Sequence, residues 1–128
     1  MSFSARAKTL AEVAQRIAQG GDPGYEVRDF LHEFYLAPSF TIIARKPPRL
    51  GVKARNGMRL DAYIQALAVY LATQLGQDPP AWTQPPVRLR TPWFASRGPE
   101  LRHYLLISSP APFRARNLFI DEDSLKVI

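Results

Sequence analysis

The chain contains no cysteine, which excludes disulfides and thiolate metal sites and fits a reducing compartment. Histidine is nearly as scarce: only His32 and His103 offer an imidazole for proton transfer or metal ligation. No run approaches the roughly 20 apolar residues needed to cross a bilayer, and the opening MSFSARAKTL lacks the apolar core of a secretion signal. A soluble, cytoplasmic protein with no membrane partner is therefore expected. Ser108-Ser109 has no G-x-S-x-G turn around it, and no glycine-rich loop resembles a phosphate cradle with its lysine. No catalytic residue, cofactor or resident metal is expected. Acidic residues are missing from the middle of the chain: between Phe34 and Pro99 only Asp61 and Asp78 carry negative charge.

What the middle does contain is positive. Arg45, Lys46, Arg49, Lys53, Arg55, Arg59, Arg88, Arg90 and Arg97 fall in that interval and contribute most of the net charge of +6. Such a surface suits nucleic acid, an acidic protein or anionic lipid without distinguishing them. At 128 residues, 46% apolar and 22% charged, the chain reads as a single globular domain spanning 1–128. Twelve prolines, clustered at Pro47-Pro48, Pro79-Pro80, Pro85-Pro86 and Pro110/Pro112, divide it into short helices and extended connectors.

The expected fold is all-α, a compact multi-helix domain around a central helix at about 57–75. Leu60, Ile64, Leu67, Leu71 and Leu75 recur there at helical spacing, with Tyr63, Ala68 and Tyr70 widening the stripe. Asn56 reads as its N-cap and Gly76 as its left-handed terminator. Upstream, Thr9 with Glu12 makes a capping box, and Asp22-Pro23 starts a second helix with Val27, Phe30, Leu31 and Phe34 inward and Glu26, Asp29 and Glu33 outward. The β-branched run from Ser39 to Ala44 is too brief for periodicity to decide between a short helix, the favoured reading, and a strand, and an exposed basic loop, KPPRLGVKAR, follows. Downstream of the central helix, a proline-rich segment should wrap the helices by burying Trp82, Val87, Leu89, Trp93 and Phe94. Ser96 to Pro99 opens a helix with Leu101, Tyr104, Leu105 and Leu106 inward, Pro112 opens a last turn through Phe113, and the tail forms a small hairpin or an extended tail docked on the core.

Asp29, His32 and Glu33 share a helix face at metal-ligand spacing, yet no fourth ligand accompanies them, and a solvated face is the simpler reading. Arg45, Lys46, Arg49, Lys53, Arg55 and Arg59 form the best nucleic-acid candidate, although aromatics do not alternate with these charges as a stacking platform requires. The most distinctive text is RTPWFAS followed by SPAPFRARNLFI, where Trp93, Phe94 and Phe113 stand among Arg90, Arg97, Arg114 and Arg116. Tryptophan, tyrosine and arginine are what interface hot spots are made of.

LDAYIQALAVYLA, PPAWT, RTPWFAS and SPAPFRARNLFIDEDSL together resemble a family of small bacterial proteins with an A-Y-x-x-A-L-A helix, a P-x-W turn, an L-x-x-P-W-F segment and an S-P-x-x-F-R-x-R-x-x-F-I ending. The resemblance runs from about Arg28 onward. It implies an antitoxin-like or accessory partner of a nucleotidyltransferase-type toxin encoded by a neighbouring gene, and it carries over no catalytic residue. The expected function is thus non-catalytic partner binding through Arg90, Trp93, Phe94, Phe113, Arg114 and Arg116, with nucleic-acid binding through the basic 45–59 region as the alternative.

Overall fold

The computed structural model describes residues 7–52, 54–96 and 98–126. Among them the chain is mostly helical, with α1 (Leu10–Ala18), α2 (Pro23–Leu36), α3 (Thr41–Ala44), α4 (Gly57–Gln74), α5 (Pro99–Ser108) and α6 (Ala111–Arg114). Two-residue strands β1 (Trp93–Phe94) and β2 (Leu118–Phe119) and single 3-10 turns at Ala81–Thr83 and Glu122–Leu125 complete it.

The apolar repeat folds as α4, the rod around which α1, α3, α6 and the 81–83 turn are packed. Its alanines, with Ile64, Leu67, Tyr70 and Leu71, are buried. Small residues on the far side of the leucines let neighbours approach from more than one direction, so the helix is covered on most of its circumference. Gly76 closes the rod at φ 69°, and the Gln77 N–H donates to Ala72 O at 2.9 Å. The start is not built as expected. Asn56 is itself left-handed at φ 58° and makes no side-chain capping bond, because the chain must reverse there to lay Gly57 against Gly51.

Both upstream helices begin at the anticipated signals. Thr9 Oγ1 accepts the Glu12 N–H, and Asp22 accepts the Tyr25 N–H ahead of Pro23. Glu26, expected on the outer face of α2, is instead buried with its Oε1 3.6 Å from an Arg16 guanidinium nitrogen. The charge pair ties α1 to α2 inside the packing, where a lone carboxylate would be costly.

The proline-rich strap, 77–92, contains one 3-10 turn and no other regular element. Trp82, Val87 and Leu89 pack on the core from it, as does Trp93 beyond it. Side chains answer several of its polar groups. Gln65, in the middle of α4, accepts the Val87 N–H at 2.8 Å and donates to Pro85 O at 3.3 Å. The Trp82 indole N–H donates to Ile43 O at 3.0 Å, and Asn117 Nδ2 donates to Leu89 O at 3.0 Å.

Of the two forms expected for the tail, the hairpin is not built and the extended, docked one is. Leu118–Phe119 pairs in parallel with Trp93–Phe94, and the chain then turns through 122–125 to bury Leu125. Two tyrosines fasten that turn: Tyr35 donates to Leu125 O at 2.9 Å and Tyr70 to Glu122 Oε2 at 2.8 Å. A further correction concerns α5. Of its expected inward residues only Leu105 is buried, while Leu101, Tyr104 and Leu106 are exposed.

Burial pushes the Tyr63 hydroxyl up to about 12 from 10.0. It raises Tyr70 further, with the bond and charge of Glu122 adding to burial, and raises Tyr35 in the same direction. The folded chain thus holds these protons at pH values where the unfolded chain has released them. Their contribution is complete below the ordinary tyrosine value of 10.0 and is lost as pH climbs through the folded values. Each tenfold gain in proton affinity on folding corresponds to about 1.4 kcal/mol, so the melting temperature should hold steady to pH 10 and fall steeply above it. Thermal melts followed by circular dichroism check this, and Tyr70→Phe should make the alkaline fall shallower. A melting temperature that ignores pH above 10 contradicts it.

Candidate functional site

Two residues of β1 organise the surfaces on either side of it. Successive strand residues point to opposite faces, so Trp93 and Phe94 diverge. Phe94 stacks on its ladder partner Phe119 at 4.9 Å and 18°, with the Arg102 guanidinium 5.5 Å from its ring centre. Trp93 turns the other way, packs against the core and carries Arg59 over its ring at 4.6 Å.

On the Phe94 side lies α5, a ten-residue helix with an unusual exposure pattern. Leu101 is 54% exposed, Tyr104 49%, Leu106 46% and Ile107 73%. Ser109 anchors the C-terminal corner of this helix, since its buried hydroxyl accepts the Ile120 N–H at 2.9 Å and donates to Leu105 O at 2.6 Å. Arg88, Arg90 and Arg114 are exposed nearby in the chain path: Leu89 N–H donates to Arg116 O, and Arg88 donates to Ala115 O, so the segment around 88–90 runs beside 114–117.

On the Trp93 side a cleft of about 300 Å³ opens between the first half of α2, the first turns of α4 and the tail. Val27, Leu31, Leu60 and Tyr63 give it an apolar wall, Arg28 and Arg59 supply charge, and Ser124 borders it.

Four of the six expected contact residues, Arg90, Trp93, Phe94 and Arg114, are exposed or half-buried. The other two are interior. Phe113 is fully buried and meets Tyr63 edge-on at 5.1 Å, filling the space between α6 and α4. Arg116, 3% exposed, sends its fork into the protein: Nε donates to Gln65 Oε1 at 3.2 Å, one terminal nitrogen to Pro112 O at 3.0 Å and the other to Thr83 O at 3.1 Å. Its partners are neutral oxygens, and burial lowers its proton affinity below the ordinary arginine value. Neither side chain offers a face to another molecule. Arg97 lies outside the described residues.

Arg45, Lys46, Arg49 and Arg55 are exposed or half-buried on the loop between α3 and α4, Arg59 leaves that group for Trp93, and Lys53 lies outside the described residues. The loop is fastened from below. Asp61, buried in α4, accepts the Leu50 N–H at 2.8 Å and the Gly51 N–H at 3.0 Å through its two oxygens. Asp61 and Gln65 are easily passed over among the apolar residues around them, although polar side chains four apart on one face of a buried helix are themselves a signal that backbone must be satisfied there. Among the described residues no group of three or more histidine, aspartate or glutamate side chains is placed to hold a metal, Asp29, His32 and Glu33 included. Nor is any helix there long and apolar enough to cross a membrane. No protein-family profile, curated protein or solved structure matches the chain.

Proposed function

We propose that the chain is a non-catalytic partner-binding protein, the antitoxin-like or accessory half of a bacterial two-protein module, docking through α5 on an acidic partner protein. The observation that carries this reading is the apolar face of α5, where Leu101, Tyr104 and Ile107, each three residues from the next, stay wet on a helix with one buried residue, while Leu106 is exposed on another side. Burying apolar surface returns about 25 cal/mol per Å², and a helix laid into a groove is a recurring way to collect it. Arg102 beside that face, with Arg88, Arg90 and Arg114 exposed on the adjoining segments, favours a partner whose rim is negative. The resemblance points the same way, since its RTPWFAS and SPAPFRARNLFI segments are the two that pair as β1 and β2.

The test is co-expression with the product of the adjacent gene, followed by size exclusion and titration of the purified complex. A single co-eluting species is expected. The double variant Leu101→Asp/Ile107→Asp, checked for an unchanged circular dichroism spectrum, should bind about 30-fold or more weakly, the scale of a hot-spot loss. A complex indifferent to that variant sinks the α5 reading. Salt-dependent retention on duplex DNA that drops with Arg49→Ala/Arg55→Ala would instead move the function to the basic loop.

A further inference from the structure

The cleft beneath Trp93 belongs to neither the α5 face nor the basic loop, and it combines three properties. Its volume, about 300 Å³, stands at the lower end of small-molecule sites. Its wall is apolar, with Leu31 buried and Val27, Leu60 and Tyr63 half-buried. Its charge is positive and uncommitted, because neither Arg28 nor Arg59 has a carboxylate partner among the described residues. The acids close to it in sequence are engaged: Asp22 caps α2, Glu122 accepts the Tyr70 hydroxyl, and Asp123 lies 4.0 Å from Lys126.

Arg59 is the better prepared of the two arginines. Its guanidinium lies over the Trp93 ring at 4.6 Å, a contact that immobilises it while leaving its in-plane N–H donors free. A carboxylate accepts two parallel N–H bonds from such a fork. An unsubstituted phosphate dianion would leave the apolar wall unused and its remaining oxygens without donors, whereas a monoanion with an apolar body satisfies both halves of the cleft.

We propose that this cleft binds a small amphipathic carboxylate, its ring or branched body seated against Leu31, Leu60 and Tyr63 and its carboxylate held by Arg59 with Arg28 beside it. The site is independent of the partner-binding reading, since it uses no residue of α5.

The test is a titration of the full-length, ¹⁵N-labelled chain with 4-phenylbutyrate, read at the Trp93 indole N–H and identified by its loss in Trp93→Phe. A saturable shift is expected, and the neutral 4-phenylbutyramide should bind about tenfold more weakly or worse. Arg59→Met should weaken the acid by a similar factor. Arg28→Met, which leaves the Trp93 stack in place, provides the second variant and should do the same, with Arg114→Met unchanged. The proposal is overturned if 4-phenylbutyrate gives no saturable shift, if the amide binds as well as the acid, or if inorganic phosphate alone reproduces the shift at the same concentrations.

Discussion

Arg116→Ala is expected to destabilise the protein by about 3–5 kcal/mol, because it takes a charged donor from several neutral acceptors, at about 1–3 kcal/mol for each one left unsatisfied. The guanidinium joins three segments that no sheet connects: Gln65 from α4, Thr83 from the strap and Pro112 at the start of α6. Removing it strands Thr83 O and Pro112 O in the interior, each without the donor that replaced water on folding. Gln65 keeps the Val87 N–H but loses the neighbour that fixes its orientation. In a domain of this size that loss lowers the melting temperature by about 10 °C or more. Arg116→Lys should recover little of it, because one ammonium on a flexible stem cannot reach three oxygens in different directions. A double-mutant cycle with Gln65→Ala should show coupling of about 0.5–3 kcal/mol. Urea titrations measure both, and an Arg116→Ala midpoint near that of the parent chain would falsify the account.

Gly57→Ala is the second large effect, and its sign runs against propensity. Alanine in place of glycine near a helix start ordinarily gains up to about 1 kcal/mol. Here the added methyl would overlap Gly51 O and stand 2.7 Å from both Gly51 C and N. Flexible side chains give way to such contacts, but Gly51 is backbone, and its N–H and that of Leu50 are held by Asp61. The clash therefore has to displace the basic loop or the first turn of α4, at about 3 kcal/mol or more. Gly24→Ala is the control. Its methyl would meet only Asp22 Oδ2 at 3.5 Å, ordinary contact, so that variant should be neutral or slightly stabilised. Equal denaturation midpoints for the two would remove the argument.

The rod was legible because Leu60 to Leu75 repeat long enough for periodicity to decide, and the caps at Thr9, Asp22 and Gly76 were legible because each acts on its own neighbours. What failed depended on distance. Periodicity shows that Leu101 and Tyr104 share a side of α5; it does not show whether anything covers that side. Arg114 and Arg116 look alike in the text, yet one is exposed and one interior, because α6 stops after a single turn and Asn117 reverses the chain at φ 66°. The tail's apolar triplets left a hairpin and a docked extended tail both open, because the partner that decides between them is Trp93–Phe94, reached only after two helices intervene. The cleft draws on α2, α4, β1 and the tail, and no contiguous motif announces such a site.

By composition, the stretch from Gln77 to Pro92 is where an engineer would divide this chain in two, treating it as a disposable hinge. The bonds from Gln65, Trp82 and Asn117 say otherwise. Severed there, the leading fragment would retain Gln65 without Val87 to hold, and the trailing fragment would retain Arg116 without Gln65 to meet. Neither piece would keep the partners its interior uses, so separating the two parts at that stretch would weaken both sides of the molecule at once.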